Sequence, residues 1–154
     1  MKKLIPVAIA SVAILMACQS KSSNTQSNDS LANSTKPITA ATQCFQSIKN
    51  RDSAFLSLKY NDNQLTGSLT YNLYEKDKNN GTLTGIVKGD TIIADYTFQS
   101  EGTTSTRQVV WLKQNDQLIE GYGDVSEVDG KTKFKDISKL NFKQSIVFNK
   151  VDCK

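Results

Sequence analysis

Residues 81–98 read GTLTGIVKGDTIIADYTF, and this stretch decides the fold. Gly89-Asp90 stands at its centre with glycine first. A type II′ turn needs φ > 0 at that position, and a two-residue loop of this kind joins two paired strands. The loop fixes the register: Val87 faces Ile92, Gly85 faces Ala94, Leu83 faces Tyr96 and Gly81 faces Phe98. Side chains alternate along a strand, so these pairs share one face. The other face holds Thr84 with Asp95, Thr82 with Thr97, and one apolar pair, Ile86 with Ile93. A slip of one residue would exchange the two faces, so turn chemistry and burial pattern agree on a single pairing.

The chain on either side repeats this theme. Gln43 to Lys49 reads as a first strand, turned by Asn50-Arg51-Asp52. Ser53 to Tyr60 places Ala54, Leu56, Leu58 and Tyr60 on one face. Asn61-Asp62-Asn63 is turn chemistry. Leu65 to Tyr74 alternates, with Leu65, Gly67, Leu69, Tyr71 and Leu73 on one side. Beyond the central hairpin, Ser100 to Thr106 (SEGTTST) reads as a polar loop and Arg107 to Lys113 as the next strand. Asn115-Asp116 turns it into Gln117 to Val125. That pairing sets Leu112 opposite Ile119 and Val110 opposite Gly121, which we read as the core face; Trp111 opposite Glu120 and Val109 opposite Tyr122 form the other. Asp129-Gly130 turns Val125–Val128 against Lys131–Phe134. Asp136 caps a short helical turn, and Ser145 to Val151 is the last strand.

A Leu-x-Gly element recurs at Leu65-Gly67 and Leu83-Gly85, on the apolar face. Glycine inside a strand marks a bend or a close backbone approach, which a small barrel needs in order to curl. The pattern fits an up-and-down barrel or a closed sandwich. The bending glycines favour the barrel: an all-β domain, an antiparallel meander of about eight or nine short strands.

The N-terminal end is of another kind. Met1-Lys2-Lys3 is basic, and Leu4 to Leu15 is apolar but too short to span a bilayer. Leu15-Met16-Ala17-Cys18 resembles the lipobox of bacterial lipoproteins. The resemblance implies that residues 1–17 are a removed signal peptide and that Cys18 carries lipid such as palmitate, anchoring the protein to a membrane. Each buried methylene contributes about 0.8 kcal/mol, so several acyl chains hold firmly. Gln19 in place of Asp implies the outer membrane, and the absence of acidic residues in Gln19–Ser23 a periplasm-facing location. Residues 18–42 are rich in Ser, Thr, Asn and Gln and read as a disordered tether. As a coil they reach roughly 25–30 Å. The folded domain is then 43–154, and the whole layout resembles the small β-domain lipoproteins of two-membrane bacteria.

Three cysteines are an odd count for an exported chain. With Cys18 given to lipid, Cys44 and Cys153 remain, one at each end of the domain, and an oxidising compartment pairs them. Such a bond would staple the first strand beside the last, hiding the edges of the meander. A redox or metal pair is the rival reading, but the chain has no CxxC and no His.

Few groups remain that carry chemistry. Without His there is no Ser-His-Asp triad and no His-built metal site. No Gly-rich loop precedes a helix. Asp77 to Gly81 falls short of calcium-loop spacing, and Asp124, Glu127 and Asp129 read as a solvated hairpin. Asp95 and Glu120 are carboxylates within strands; facing inward together they would form an acid pair for hydrolysis, but both are expected to face solvent. Trp111, the only tryptophan, is either core or an exposed partner anchor. Loss of Lys2 and Lys3 leaves 17 basic against 15 acidic residues, a net of +2. That is no nucleic-acid footprint. No cofactor is expected.

The order of lipobox, tether, Cys near the domain start and Cys near its end, with Ser105-x-Arg107 and Trp111-x-Lys113, looks like the membrane-bound inhibitors of C-type lysozyme. Those are eight-stranded barrels that push a loop into the lysozyme cleft. The likeness implies that Ser105, Arg107, Trp111 and Lys113 bind the partner, with Arg107 and Lys113 meeting carboxylates of the cleft. Thr106 and Gln108 stand where that family has Gly and Tyr. Three functional readings follow: first a non-enzymatic binding or structural lipoprotein that contacts a small ligand or an envelope protein, then a lysozyme inhibitor, and last a carboxylate hydrolase using Asp95 and Glu120.

Overall fold

Two-residue turns set the frame of the domain. The computed structural model describes residues 41–154; the expected signal peptide 1–17, the expected lipid attachment at Cys18 and the expected tether up to residue 40 lie outside the described residues. Ten strands follow in chain order: β1 (Thr42–Lys49), β2 (Asp52–Asn61), β3 (Gln64–Asn72), β4 (Asn79–Lys88), β5 (Thr91–Ser100), β6 (Thr103–Gln114), β7 (Gln117–Glu120), β8 (Val125–Val128), β9 (Lys131–Phe134) and β10 (Val147–Val151). A 3-10 turn, Ile137–Lys139, precedes β10, and Asp136 caps it by accepting from the Ser138 N–H.

Strands β1 to β7 pair in sequence, each antiparallel to the next, and β10 lies between β7 and β1. These eight close a barrel. The β8–β9 hairpin stands outside it, tied to β6 by one parallel bridge between Arg107 and Thr132. The β4–β5 register is the one dictated by Gly89-Asp90: Val87 with Ile92, Leu83 with Tyr96, Gly81 with Phe98. Gly89 has φ +60°. Asn50, Asp62 and Asn115 take the same left-handed conformation at the first place of their turns, one that Asn and Asp tolerate better than most residues. The Leu-x-Gly glycines mark close approach. A Cβ at Gly85 would lie 2.6 Å from the Ala94 Cα, and one at Gly67 would collide with the Ser57 carbonyl.

Residues 100–106 differ from the expected loop. Ser100 pairs with Thr103, and only Glu101-Gly102 lies between β5 and β6. Both turn residues have positive φ, 50° and 75°, as a type I′ turn demands. The threonines that follow are β-branched and continue the strand.

The face assignment of β6–β7 is also corrected. Of the expected pairs, Trp111 with Glu120 and Leu112 with Ile119 form, whereas Tyr122 bridges Asn141 instead of Val109. The lumen takes the other face, with Trp111 fully buried and Val109 and Glu120 beside it. Leu112 and Ile119 point outward and are half-buried. Val110 points outward yet is fully buried, because residues 121–146 return over this side. Gly121, which donates its N–H to the Val110 carbonyl, lies against the Phe142 ring and Leu140. The apolar set Val110, Leu112 and Ile119 is thus a second, outer layer. Strand β7 also stops at Glu120, short of the expected Val125.

Leu56, Leu58, Leu65, Leu69, Leu83, Ile92, Trp111 and Phe148 fill the lumen, all essentially inaccessible. Burying each contributes about 1.5–3 kcal/mol. The outer wall of β3–β5 carries Thr66, Ser68, Thr70, Thr82, Thr84 and Thr97 instead. No helix among the described residues is long and apolar enough to cross a membrane.

The ends of the barrel differ. The chain arrives at one end, beside the turns at 62–63, 89–90 and 115–116. There Cys44 and Cys153 form a disulfide, with Cα atoms 5.2 Å apart, stapling β1 beside β10. Closing a loop of 109 residues contributes up to about 4–5 kcal/mol by chain entropy. The other end carries the 50–51 turn, the 73–78 loop, Glu101-Gly102 and the 121–146 excursion. At that end the β1–β10 ladder stops at Gln46–Asn149. Beyond it opens a cleft of about 480 Å³ bordered by Ser47, Ile48, Ala54, Leu73, Tyr122 and Ile146.

Candidate functional site

At the open end the lumen lining changes from aliphatic to aromatic and charged. Alternation from the packed layers brings Tyr71 inward on β3, Tyr96 and Phe98 on β5, Arg107 on β6 and Glu120 on β7. Cross-strand pairing sets Tyr96 beside Arg107 and Trp111 beside Glu120. Strands β3 and β7 are four strands apart in either direction around the barrel, so they stand on opposite walls.

One hydrogen bond spans that gap. The Tyr71 hydroxyl donates to Glu120, lying 2.9 Å from Oε1 and 2.8 Å from Oε2. Glu120 is the sole buried charged residue among the described residues, 5 % exposed. Burial pushes its carboxyl up to about 7, although the Tyr71 hydrogen bond and the Arg107 charge both pull it down. Burial likewise holds the Tyr71 phenol well above its ordinary range, with the neighbouring Glu120 adding to the effect. A carboxyl that titrates near neutrality exchanges a proton at working pH.

Arg107 sits among three rings. Its Cζ lies 5.3 Å from the Tyr71 centroid, 5.5 Å from Tyr96 and 5.4 Å from Phe98. Tyr96 and Phe98 stack at 4.8 Å, and Tyr96 meets Tyr71 edge to face at 6.1 Å. The Tyr96 hydroxyl donates to the Leu69 carbonyl, which fixes its ring. Arg107 forms no ion pair among the described residues. Its Nε is buried without a hydrogen-bond partner, as are Trp111 Nε1, Asn79 Oδ1 and Ser145 Oγ. Ring faces attract the guanidinium, by roughly 0.5–2 kcal/mol per contact, but they leave the N–H groups unanswered.

The residues singled out from sequence are dispersed. Ser105 is exposed at the open end. Arg107 is half-buried and directed inward. Trp111 is fully buried, edge to face with Phe148 at 6.4 Å, so its ring is not presented to a partner. Lys113 is exposed at the opposite end, about 26 Å along the strand from Ser105 at roughly 3.3 Å per residue. These four do not form one surface. The two strand carboxylates are also separated. Asp95 faces out, as expected, and pairs with Lys131 at 2.7 Å, whereas Glu120 faces the lumen. The barrel wall stands between them, so they cannot act on one bond. Among the described residues no group of three or more Cys, Asp or Glu is placed to hold a metal ion.

Sequence reasoning passed over Tyr71, Tyr96 and Phe98 as site residues, and considered Glu120 only as a partner of Asp95. The missing signal was the Glu101-Gly102 turn, whose register puts Arg107 beside Tyr96.

Compared with protein-family models, with curated proteins and with solved structures, the chain matches none.

Proposed function

We propose that the protein is a lipid-anchored lipoprotein of the cell envelope, held by Cys18 to the outer membrane and facing the periplasm. Its barrel domain is a non-enzymatic binding module that engages its ligand at the open end. The anchor rests on the lipobox-like Leu15-Met16-Ala17-Cys18 and on the polar stretch that follows it. A Cys44–Cys153 disulfide accords with an oxidising compartment. The observation that carries the binding role is the ring-bound Arg107, unpaired among the described residues, beside the Tyr71–Glu120 hydrogen bond at the end opposite the chain's arrival. Below that layer the lumen is filled by side chains, so recognition belongs to the rim and its first layer.

Two measurements test this. Palmitate labelling in the native host should mark the wild-type protein and not Cys18→Ala; equal labelling removes the anchor. Native mass spectrometry of protein taken from its own envelope should show a retained mass, lost on Arg107→Gln. A bare mass in every preparation, with no partner recovered by crosslinking at the open end, ends the binding reading. No observation favours the lysozyme-inhibitor alternative, because Ser105, Arg107, Trp111 and Lys113 are spread along β6.

A further inference from the structure

We propose that Arg107 is the receptor for an oxyanion, the carboxylate or phosphate group of a small ligand that enters at the open end of the barrel. This deepens the binding reading and rests on it.

Among the described residues the geometry leaves Arg107 as a cation without an ion-pair partner. Tyr71 occupies the one buried carboxylate among them, hydrogen-bonding both oxygens of Glu120, and no carboxylate oxygen of the described residues lies within 4.0 Å of the guanidinium. Tyr71, Tyr96 and Phe98 hold the group in place through their faces. Those contacts orient the guanidinium plane without consuming its donors. The unsatisfied Nε is one tooth of the fork through which arginine grips a carboxylate or phosphate side-on, with Nε and one Nη donating in parallel. A buried donor left unpaired costs about 1–3 kcal/mol, so a ligand oxygen placed there recovers a penalty the free protein carries. Asn79, inward on β4 beside Tyr71, also has an unsatisfied Oδ1. A half-turn of its carboxamide presents a further donor.

Pre-organisation is the second element. The rings are fixed before any ligand arrives, by the Tyr96 hydrogen bond to Leu69 and the Tyr71 hydrogen bond across the lumen. Ordering the arginine therefore costs little on binding. Glu120 tunes the site. The groups facing it are Tyr71 from β3, Tyr96 from β5, Arg107 from β6 and Tyr122, two residues beyond the end of its own strand. Of these, only Arg107 is charged at neutral pH. Ionised, Glu120 repels an incoming anion and offsets the arginine; protonated, it does neither. Anion binding and proton uptake at Glu120 thus favour each other.

The test is an NMR titration of the ¹⁵N-labelled purified protein, following the Arg107 Nε–Hε resonance. Sodium acetate and sodium phosphate are added separately, at pH 6 and pH 8, with sodium chloride at matched ionic strength as reference. The expected result is a saturable shift with at least one oxyanion and none with chloride. Acetate stays ionised at both pH values, so its arm carries the linkage: affinity is higher at pH 6 by roughly five-fold or more. Arg107→Lys keeps the charge but loses the fork, and binding falls at least about ten-fold. Glu120→Gln retains binding and loses its pH dependence. Absence of a saturable shift with both anions overturns the proposal, and so does a shift at the other open-end amides that survives in Arg107→Gln. If native mass spectrometry then finds a retained ligand without an acidic group, the binding module stands and only the anion receptor falls. If it finds none, both fall.

Discussion

Replacing Glu120 by glutamine should change how the stability of the domain depends on pH, and the size of the change follows from its burial. The carboxyl titrates at about 7 in the folded protein against an ordinary 4.5. Between those values the folded chain holds a proton that the unfolded chain has released. Stability therefore falls as pH rises through this window. Below 4.5 both states are protonated and the penalty is absent; above 7 both are ionised and it is complete. At 1.36 kcal/mol per pH unit the penalty reaches about 3 kcal/mol. Glutamine never ionises, and its Oε1 still accepts from Tyr71. Its amide N–H groups face a lumen with few acceptors, a cost of about 1–3 kcal/mol that is the same at every pH. The diagnostic quantity is thus the variant-minus-wild-type difference. It should move in favour of glutamine by about 3 kcal/mol between pH 4.5 and pH 8, a melting shift on the order of 10 °C. Urea unfolding at four pH values, read by Trp111 fluorescence, measures it. A difference that is constant across the window would refute the buried, ionisable Glu120 and the proton-linked site built on it.

Three further outcomes follow. Tyr71→Phe deletes the hydrogen bond across the lumen; it should cost about 1.5–3 kcal/mol at pH 8, less at pH 5, and raise the Glu120 titration seen by ¹³C NMR, while a lowered titration would contradict the geometry. Cys44→Ser with Cys153→Ser should lower stability by about 2–5 kcal/mol, and the wild-type protein in reductant should match it; an unchanged urea midpoint would mean the bond constrains little. Gly85→Val must push Ala94 aside and should destabilise by more than 2 kcal/mol or so, beyond the ~1 kcal/mol of an ordinary surface change; Gly89→Ala, which only strains a positive φ in open space, should cost about 1 kcal/mol, and equal losses for the two would argue against a tight barrel wall at Gly85.

Why the architecture was legible and the site was not comes down to turns. Where a turn carried Gly-Asp, Asn-Asp or Asp-Gly between alternating strands, register followed from backbone sterics, and alternation then assigned faces: β2, β3, β4 and β5 all place their apolar sets inward as their patterns require. Strand β6 defeats that procedure, because Val109, Val110, Trp111 and Leu112 are four apolar residues in a row. Period two is silent in such a run, since one side lines the lumen and the other lies under residues 121–146, which no local pattern announces. Hydropathy then misleads at β7, where a carboxylate is read as outward. Only pairing could have decided the matter. Had SEGTTST been taken as a turn at Glu101-Gly102, counting outward gives Phe98 with Ser105, Tyr96 with Arg107 and Ile92 with Trp111. The face of Ile92 was already known from Gly89-Asp90, and Asn115-Asp116 had already paired Trp111 with Glu120. Two residues with positive φ, one of them a glutamate in a conformation such residues seldom adopt, therefore separate a barrel with an unexplained rim from one with Arg107 and Glu120 inside it. The charged lumen layer contradicts the local hydrophobic rule, and that conflict is what marks it for function: a chain that buries Glu120 beside a half-buried Arg107 without joining the two has spent stability that simple packing would have kept.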